Sequence, residues 1–76
     1  MTPAQCRAAR ALVNMTLKRL ASLAVLPAAH LWDYEAEHGH LGPDDIKAIR
    51  EALELANVEF IDGDRPGVRL RRPVER

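Results

Sequence analysis

The chain has 76 residues, which suits a single domain near the lower size limit for a self-sufficient hydrophobic core. Eleven basic and eleven acidic residues give a formal net charge of zero, so the chain lacks the basic excess that many DNA-binding domains carry. The sequence has no apolar run near the ~20 residues of a membrane span and no signal-peptide pattern, and its single cysteine, Cys6, rules out an internal disulfide, so we expect a cytoplasmic protein without membrane contact.

The first helix is predicted to begin at Pro3. Thr2 is an N-cap residue, and Gln5 completes a capping box with it, while Pro3 suits the first helical position. Asn14 is suited to the left-handed conformation that ends many helices. The apolar positions at helical spacing, which we expect to face the core, are Cys6, Ala9, Leu12 and Val13.

Two short helices joined by an apolar turn are predicted next. Thr16 is the N-cap of a helix over residues 17–23. The turn covers residues 24–26, and Pro27 lies where the following helix, residues 28–36, starts. Apolar residues recur at helical spacing in both segments. This arrangement is typical of a helix-turn-helix, whose second helix usually enters the major groove of DNA.

A fourth helix and a hairpin complete the predicted elements. The glycine-containing stretch 37–42 is predicted to be a loop, and Pro43 opens a helix whose acidic first turn suits the helix dipole. Asn57 marks a second left-handed stop. Alternating residues predict two strands over residues 58–61 and 68–72, joined by a turn rich in Gly, Asp and Pro. The fourth helix is expected to bury Ile46, Ile49, Leu53 and Ala56.

Several stretches resemble a known protein family. Residues 16–35 look like the helix-turn-helix of the Xre/Cro/phage-repressor family. The whole chain is also similar to a small bacterial subgroup of that family, through MTPAQCRAARAL at residues 1–12, AIREAL at 48–53, VEFID at 58–62 and PGVRLR at 66–71.

The resemblance implies a mainly α fold, namely a four-helix repressor-like helix-turn-helix domain with a C-terminal β-hairpin. Residues 1–57 would form the helix-turn-helix part, and residues 58–76 would add the hairpin and a basic tail within the same domain. The composition agrees with this, because one Trp, one Tyr and one Phe leave an aliphatic core that suits a helical bundle.

The function implied by the resemblance is a DNA-binding transcriptional regulator. The groove-facing positions would be Ala28, Ala29, His30, Trp32 and Asp33, and the phosphate contacts would come from Lys18 and Arg19. Alanine offers a methyl contact to thymine but no hydrogen bond to a base edge. There is no Lys or Arg between Leu20 and Ile46. The recognition face is therefore acidic, and we expect it to weaken DNA binding.

Three residues depart from the family pattern. Leu17 stands where the family often has a phosphate-binding Gln, and Pro27 stands where Ser or Thr is usual. Val25 stands where Gly is usual, and a β-branched residue at positive φ would cost ~1 kcal/mol or more. These departures are consistent with a motif that keeps its fold and has lost ordinary operator binding.

The missing Lys and Arg between Leu20 and Ile46 favour an alternative function from another class. This alternative is a protein-interaction module with the same fold that binds a protein through Trp32 and the acidic stretch 33–45.

The resemblance also implies a structural pair. The equivalent of Arg10 on the first helix meets the acid at the end of the recognition helix, here Glu35. Such a pair would hold the third helix against the first and would take no part in chemistry.

The hairpin is predicted to make the protein a homodimer. A lone two-stranded ribbon has open edges that tend to pair, and both of its faces carry apolar residues. The alternative is that the ribbon folds back on the fourth helix of its own chain. The expected dimerisation residues are Val58, Phe60, Ile61, Val68 and Leu70.

No catalytic set, phosphate-binding loop or cofactor motif is visible, so we expect a protein that is not an enzyme. The pair His38 and His40 lies in a Gly-flanked loop, but structural zinc sites normally add cysteines at defined spacing. We therefore expect solvated histidines, no metal and no cofactor.

Overall fold

The computed structural model describes residues 1–71. Over this part of the chain, four α-helices precede a two-stranded antiparallel hairpin, which confirms the predicted mainly helical class. The elements are α1 (Pro3–Leu12), α2 (Leu17–Ala24), α3 (Ala28–Glu35), α4 (Pro43–Leu55), β1 (Val58–Ile61) and β2 (Gly67–Leu70).

Local capping determines where the first two helices begin. The Thr2 hydroxyl accepts from the Gln5 N–H, and the Gln5 side chain accepts from the Thr2 N–H, so the predicted capping box is confirmed. The Thr16 hydroxyl accepts from the Arg19 N–H at the start of α2. Asn14 (φ 55°) and Asn57 (φ 75°) both adopt the predicted left-handed conformation. These caps satisfy backbone groups that a helix end leaves unpaired.

The turn between α2 and α3 covers residues 25–27, one position later than predicted. Ala24 is the last residue of α2, and Val25 is in the left-handed conformation (φ 58°). Pro27 is the N-cap of α3 and not its first helical residue, and its side chain makes no capping hydrogen bond. The helix ends at Glu35, one residue earlier than predicted, with Ala36 as its C-cap.

The hairpin pairs Val58 with Leu70 and Ile61 with Gly67. The second strand covers Gly67–Leu70, so the predicted strand over residues 68–72 was placed too late; Arg71 follows the strand, and residue 72 lies outside the described residues. In the turn, Gly63 has a φ of 106°, a conformation that glycine adopts without steric cost.

The hairpin packs on its own helices and does not stand free. It contacts α1 through both strands and α4 through β1. The Arg50 guanidinium of α4 lies 5.0 Å from the centre of the Phe60 ring and pairs with Asp62 at 3.3 Å. Val58 is fully buried.

The core lies between the four helices and the hairpin. Its largest fully buried side chains are Leu20, Leu31, Ile49, Leu53, Val58 and Cys6. Sequence periodicity predicted that Leu12 faces the core. Leu12 is instead the last residue of α1 and is 40% exposed. Within residues 1–71, no helix is long and apolar enough to cross a membrane.

Candidate nucleic-acid interface

Helix α3 has one buried and one exposed face. Leu31, Tyr34 and Glu35 are buried, and they fall on one side of the helix because they are three or four residues apart. The opposite side carries the residues that the family resemblance assigned to base contact. Ala29, His30, Trp32 and Asp33 are exposed, and Ala28 is half-buried. All five predicted groove residues therefore retain some solvent-accessible surface.

Arg10 fixes the end of α3 against α1. Its Nε donates to Oε2 of Glu35 at 2.8 Å, and its Nη2 donates to Oε1 at 2.7 Å, which is a bidentate pair. Its Nη1 also donates to the carbonyl of Met15 at 3.0 Å, in the connection to α2. The Glu35 side chain is only 5% exposed, whereas that of Arg10 is 22% exposed. The pair implied by the resemblance is thus present, and it links three segments of the chain.

Two further residues of α1 bind Glu35. The Cys6 thiol donates to Oε2 of the carboxylate at 3.1 Å. Arg7 donates to the backbone carbonyl of Glu35, which is one of the carbonyls that a helix C-terminus leaves unpaired. Sequence analysis missed both contacts. The available signal was spacing, because residues 6 and 10 are four apart and share one face of α1.

The charge state of this cluster follows from its contacts. Burial raises the pKa of Glu35, but hydrogen bonds from Arg10 and Cys6 and the charges of Arg10 and Arg7 outweigh burial, so the pKa is lowered overall. Burial, and then the hydrogen bond to Glu35, raises the pKa of the Cys6 thiol. Cys6 therefore remains a neutral donor, and Glu35 is a carboxylate at neutral pH.

The free energy of unfolding is expected to decrease in acid partly because of Glu35. Its folded-state pKa lies below the unfolded value of about 4.5, so the carboxylate stabilises the fold fully above that pH. The contribution is lost as the pH falls through the folded-state pKa. Urea unfolding of the wild type and of Glu35→Gln should give a stability difference that shrinks in acid. A difference that is equal in acid and at neutral pH would contradict this.

The start of α2 meets the exposed face of α3 at Trp32. A hollow of about 230 Å³ is lined by Arg7, Arg10, Leu17, Trp32, Glu35 and Ala36. Trp32 is 64% exposed, so it is available to a ligand. Leu17 is the first residue of α2, and the exposed Lys18 follows it.

Arg19 lines a different part of the surface from the hollow at Trp32. Its side chain lines a groove between α2 and α4, together with Met15 and Leu23 of the α2 region. Successive residues of a helix point about 100° apart, since there are 3.6 residues per turn. The two predicted phosphate contacts, Lys18 and Arg19, are therefore directed to different sides of α2.

Acidic side chains dominate the segment from α3 to the start of α4. Glu37 pairs with Arg7 at 3.5 Å. Asp33, Asp44 and Asp45 are exposed and make no ion pair with any residue in the range 1–71. Phosphate would be repelled by these carboxylates, and a basic protein surface would be attracted to them.

The predicted dimerisation residues are mostly covered by their own chain. Val58 is buried, and Phe60 and Val68 are half-buried against the helices. Only Ile61 and Leu70 are exposed, at 37% and 52%. Dimerisation through the hairpin stays a prediction, with less apolar surface to support it than the sequence suggested.

The histidines are exposed, and no group of three or more His, Cys, Asp or Glu side chains within the described residues could hold a metal ion. In comparisons with known proteins, the chain matches no family model and no curated protein.

Proposed function

We propose that the protein is a small DNA-binding transcriptional regulator of the Xre/Cro type, in which α2 and α3 act as a helix-turn-helix. One observation carries the proposal: α3 is anchored through Leu31, Tyr34 and Glu35, and it turns the opposite face, with Ala29 and Trp32, to solvent. A helix held in this way can enter a major groove without unfolding any other part of the chain.

The proposed interface binds mainly the DNA backbone. Lys18 follows Leu17, which lines the hollow at Trp32, and supplies the first phosphate contact. Arg19 lines the groove between α2 and α4, on another side of the helix. The alanines at positions 28 and 29 read bases only through methyl contacts, which discriminate weakly compared with bidentate hydrogen bonds. We therefore expect moderate affinity, strong salt dependence and low sequence specificity.

Trp32 provides a direct assay for this interface, because it is the only tryptophan of the chain and is 64% exposed. Titration with random duplex at low salt is expected to change its fluorescence, and the affinity should fall steeply as salt is added. Lys18→Ala should weaken binding to all duplexes alike and reduce the slope of log K against log salt by about 1.

Lys47→Ala is the matched control, since it removes the same charge from an exposed position on α4. It should leave the affinity close to that of the wild type. Equal losses of DNA affinity in the two variants would show that binding depends only on the net charge. Such a result would contradict the proposed contact at Lys18.

A second candidate function is a protein-interaction module that uses the same face. It is favoured by the three exposed carboxylates of Asp33, Asp44 and Asp45, which make no ion pair within the described part of the chain. In this case the ligand of Trp32 would be a basic protein surface. The absence of any fluorescence change with duplex at low salt would favour this function over DNA binding.

A further inference from the structure

A second surface of the molecule, between α2 and α4, also exposes large apolar side chains. Between α2 and α4 lies an open groove of about 460 Å³, lined largely by alanine and leucine side chains. At its edges Val25 and Leu55 are each 87% exposed, and Leu23 is 44% exposed. Large apolar side chains that remain this exposed around one groove are typical of an interaction site.

The backbone at Val25 supports the same conclusion. Val25 holds a φ of 58°, a left-handed conformation in which a β-branched residue is strained. Glycine or asparagine would relieve that strain, and the exposed Val25 side chain obtains little packing within its own chain. A residue with a strained backbone and little packing within its own chain is expected where its side chain contributes to an interaction.

The charges on the groove indicate its occupant. Arg19 lines the α2 wall and Glu51 lines the α4 wall, so the two walls carry opposite signs. These two side chains do not pair with each other or with any other residue in the range 1–71. Arg71 borders an adjoining hollow with Glu51, and it also forms no ion pair within that range.

Among the described residues, the groove itself is lined by one cation, Arg19, and one anion, Glu51, and such a patch is complementary to a copy of itself. In a two-fold arrangement the same patch is used by both chains, so Arg19 of each copy faces Glu51 of the other. A partner whose surface carries charges of only one sign would meet a like charge on one wall of the groove, which is unfavourable. We propose that the groove between α2 and α4 is the homodimer interface, with Leu55 and Val25 of each copy packed against the groove of the other.

This proposal does not depend on DNA binding, and it differs from dimerisation through the hairpin. It also separates the two cations of α2. Arg19 is used between copies, and Lys18, on another side of the helix, remains free for a phosphate.

Sedimentation equilibrium of the full chain tests the interface by charge reversal. The wild type should show a concentration-dependent monomer–dimer equilibrium. Arg19→Glu and Glu51→Arg should each raise the dimer dissociation constant about tenfold or more, because each creates two like-charge contacts. An equimolar mixture of the two variants should restore dimers, since every contact across the heterodimer then joins opposite charges.

Restoration in the mixture cannot arise within one chain, so it distinguishes an interface from a folding defect. Circular dichroism of each variant should match the wild type, because neither side chain has an ion-pair partner within the described residues. A wild type that is monomeric at every concentration, or a mixture that stays monomeric, would overturn the proposal.

Leu55→Lys and Leu70→Lys distinguish the groove from the hairpin, because both replace an exposed leucine by the same charged residue. The groove variant should raise the dissociation constant at least tenfold, and the hairpin variant should leave it within about twofold. The reverse result would show that the dimer forms through the hairpin, and it would overturn the proposed interface at the groove.

Discussion

Replacement of Arg10 by alanine is expected to destabilise the fold by about 3–5 kcal/mol, which is typical when one partner of a buried ion pair is removed. Among the described residues, the variant leaves the buried Glu35 carboxylate with the Cys6 thiol as its one remaining side-chain donor. It also removes the hydrogen bond from Arg10 to the Met15 carbonyl. Because domains of this size have small unfolding free energies, Arg10→Ala is expected to be partly unfolded at room temperature.

The reciprocal variant should be milder. Glu35→Ala is expected to cost about 2–3 kcal/mol, since the guanidinium it leaves behind is 22% exposed and can be hydrated. The double variant should cost less than the sum of the two single changes, by about 1–3 kcal/mol. Arg10→Lys retains the charge but loses the bidentate geometry, and it should give a folded protein of intermediate stability.

Urea unfolding of the wild type and of the four variants measures these differences in stability. Arg69→Ala is the control, because Arg69 pairs with Glu59 across the hairpin while its side chain is 66% exposed. An exposed pair contributes at most about 1 kcal/mol. Additive effects of the Arg10 and Glu35 changes, or an Arg10→Ala effect as small as that of Arg69→Ala, would contradict the structural role of the pair.

Replacement of Gln5 is expected to have the second largest effect. Its buried amide donates to the carbonyls of Ile61 and Gly67, each at 3.0 Å, and so ties α1 to both strands of the hairpin. Its Oε1 accepts from the Thr2 N–H at 2.8 Å. Gln5→Ala removes all three bonds and leaves two carbonyls without this donor, which should cost about 2–4 kcal/mol.

Gln5→Glu tests the amide donor more specifically, because it preserves the size and shape of the side chain. Its carboxylate still accepts from the Thr2 N–H, but it turns an oxygen towards the two hairpin carbonyls. At neutral pH we expect Gln5→Glu to lower the free energy of unfolding at least as much as Gln5→Ala does. Part of this stability should return in acid, because the protonated carboxyl can donate one hydrogen bond. Thr2→Ala should cost only about 1 kcal/mol, since it affects the helix cap alone.

Amide hydrogen exchange locates the effect of these changes. The strand amides of the hairpin should lose protection in Gln5→Glu and retain it in Thr2→Ala. Wild-type stability and hairpin protection in Gln5→Glu would show that the two carbonyl contacts are not significant in solution.

The sequence alone determined the features that depend on neighbouring residues. The capping box of Thr2 and Gln5, the cap at Thr16 and the left-handed turns at Asn14 and Asn57 each involve groups within a few positions of one another. The energy of such a contact is nearly independent of the rest of the fold, so periodicity and capping rules predict it. The resemblance implied an outward-facing position for Trp32, and Trp32 is 64% exposed.

The tertiary structure decided which distant groups meet. The Gln5 amide binds carbonyls 56 and 62 positions away, and no local rule contains that information. The contacts of Cys6 and Arg7 with Glu35 likewise depend on how α1 packs against α3. The packing of α2 against α4 places Arg19 in the groove. The same packing leaves Leu55 of α4 87% exposed, whereas Leu70 of the hairpin is 52% exposed. These results follow from the packing of whole elements, in which many weak contacts act together, and no single stretch of the chain specifies them.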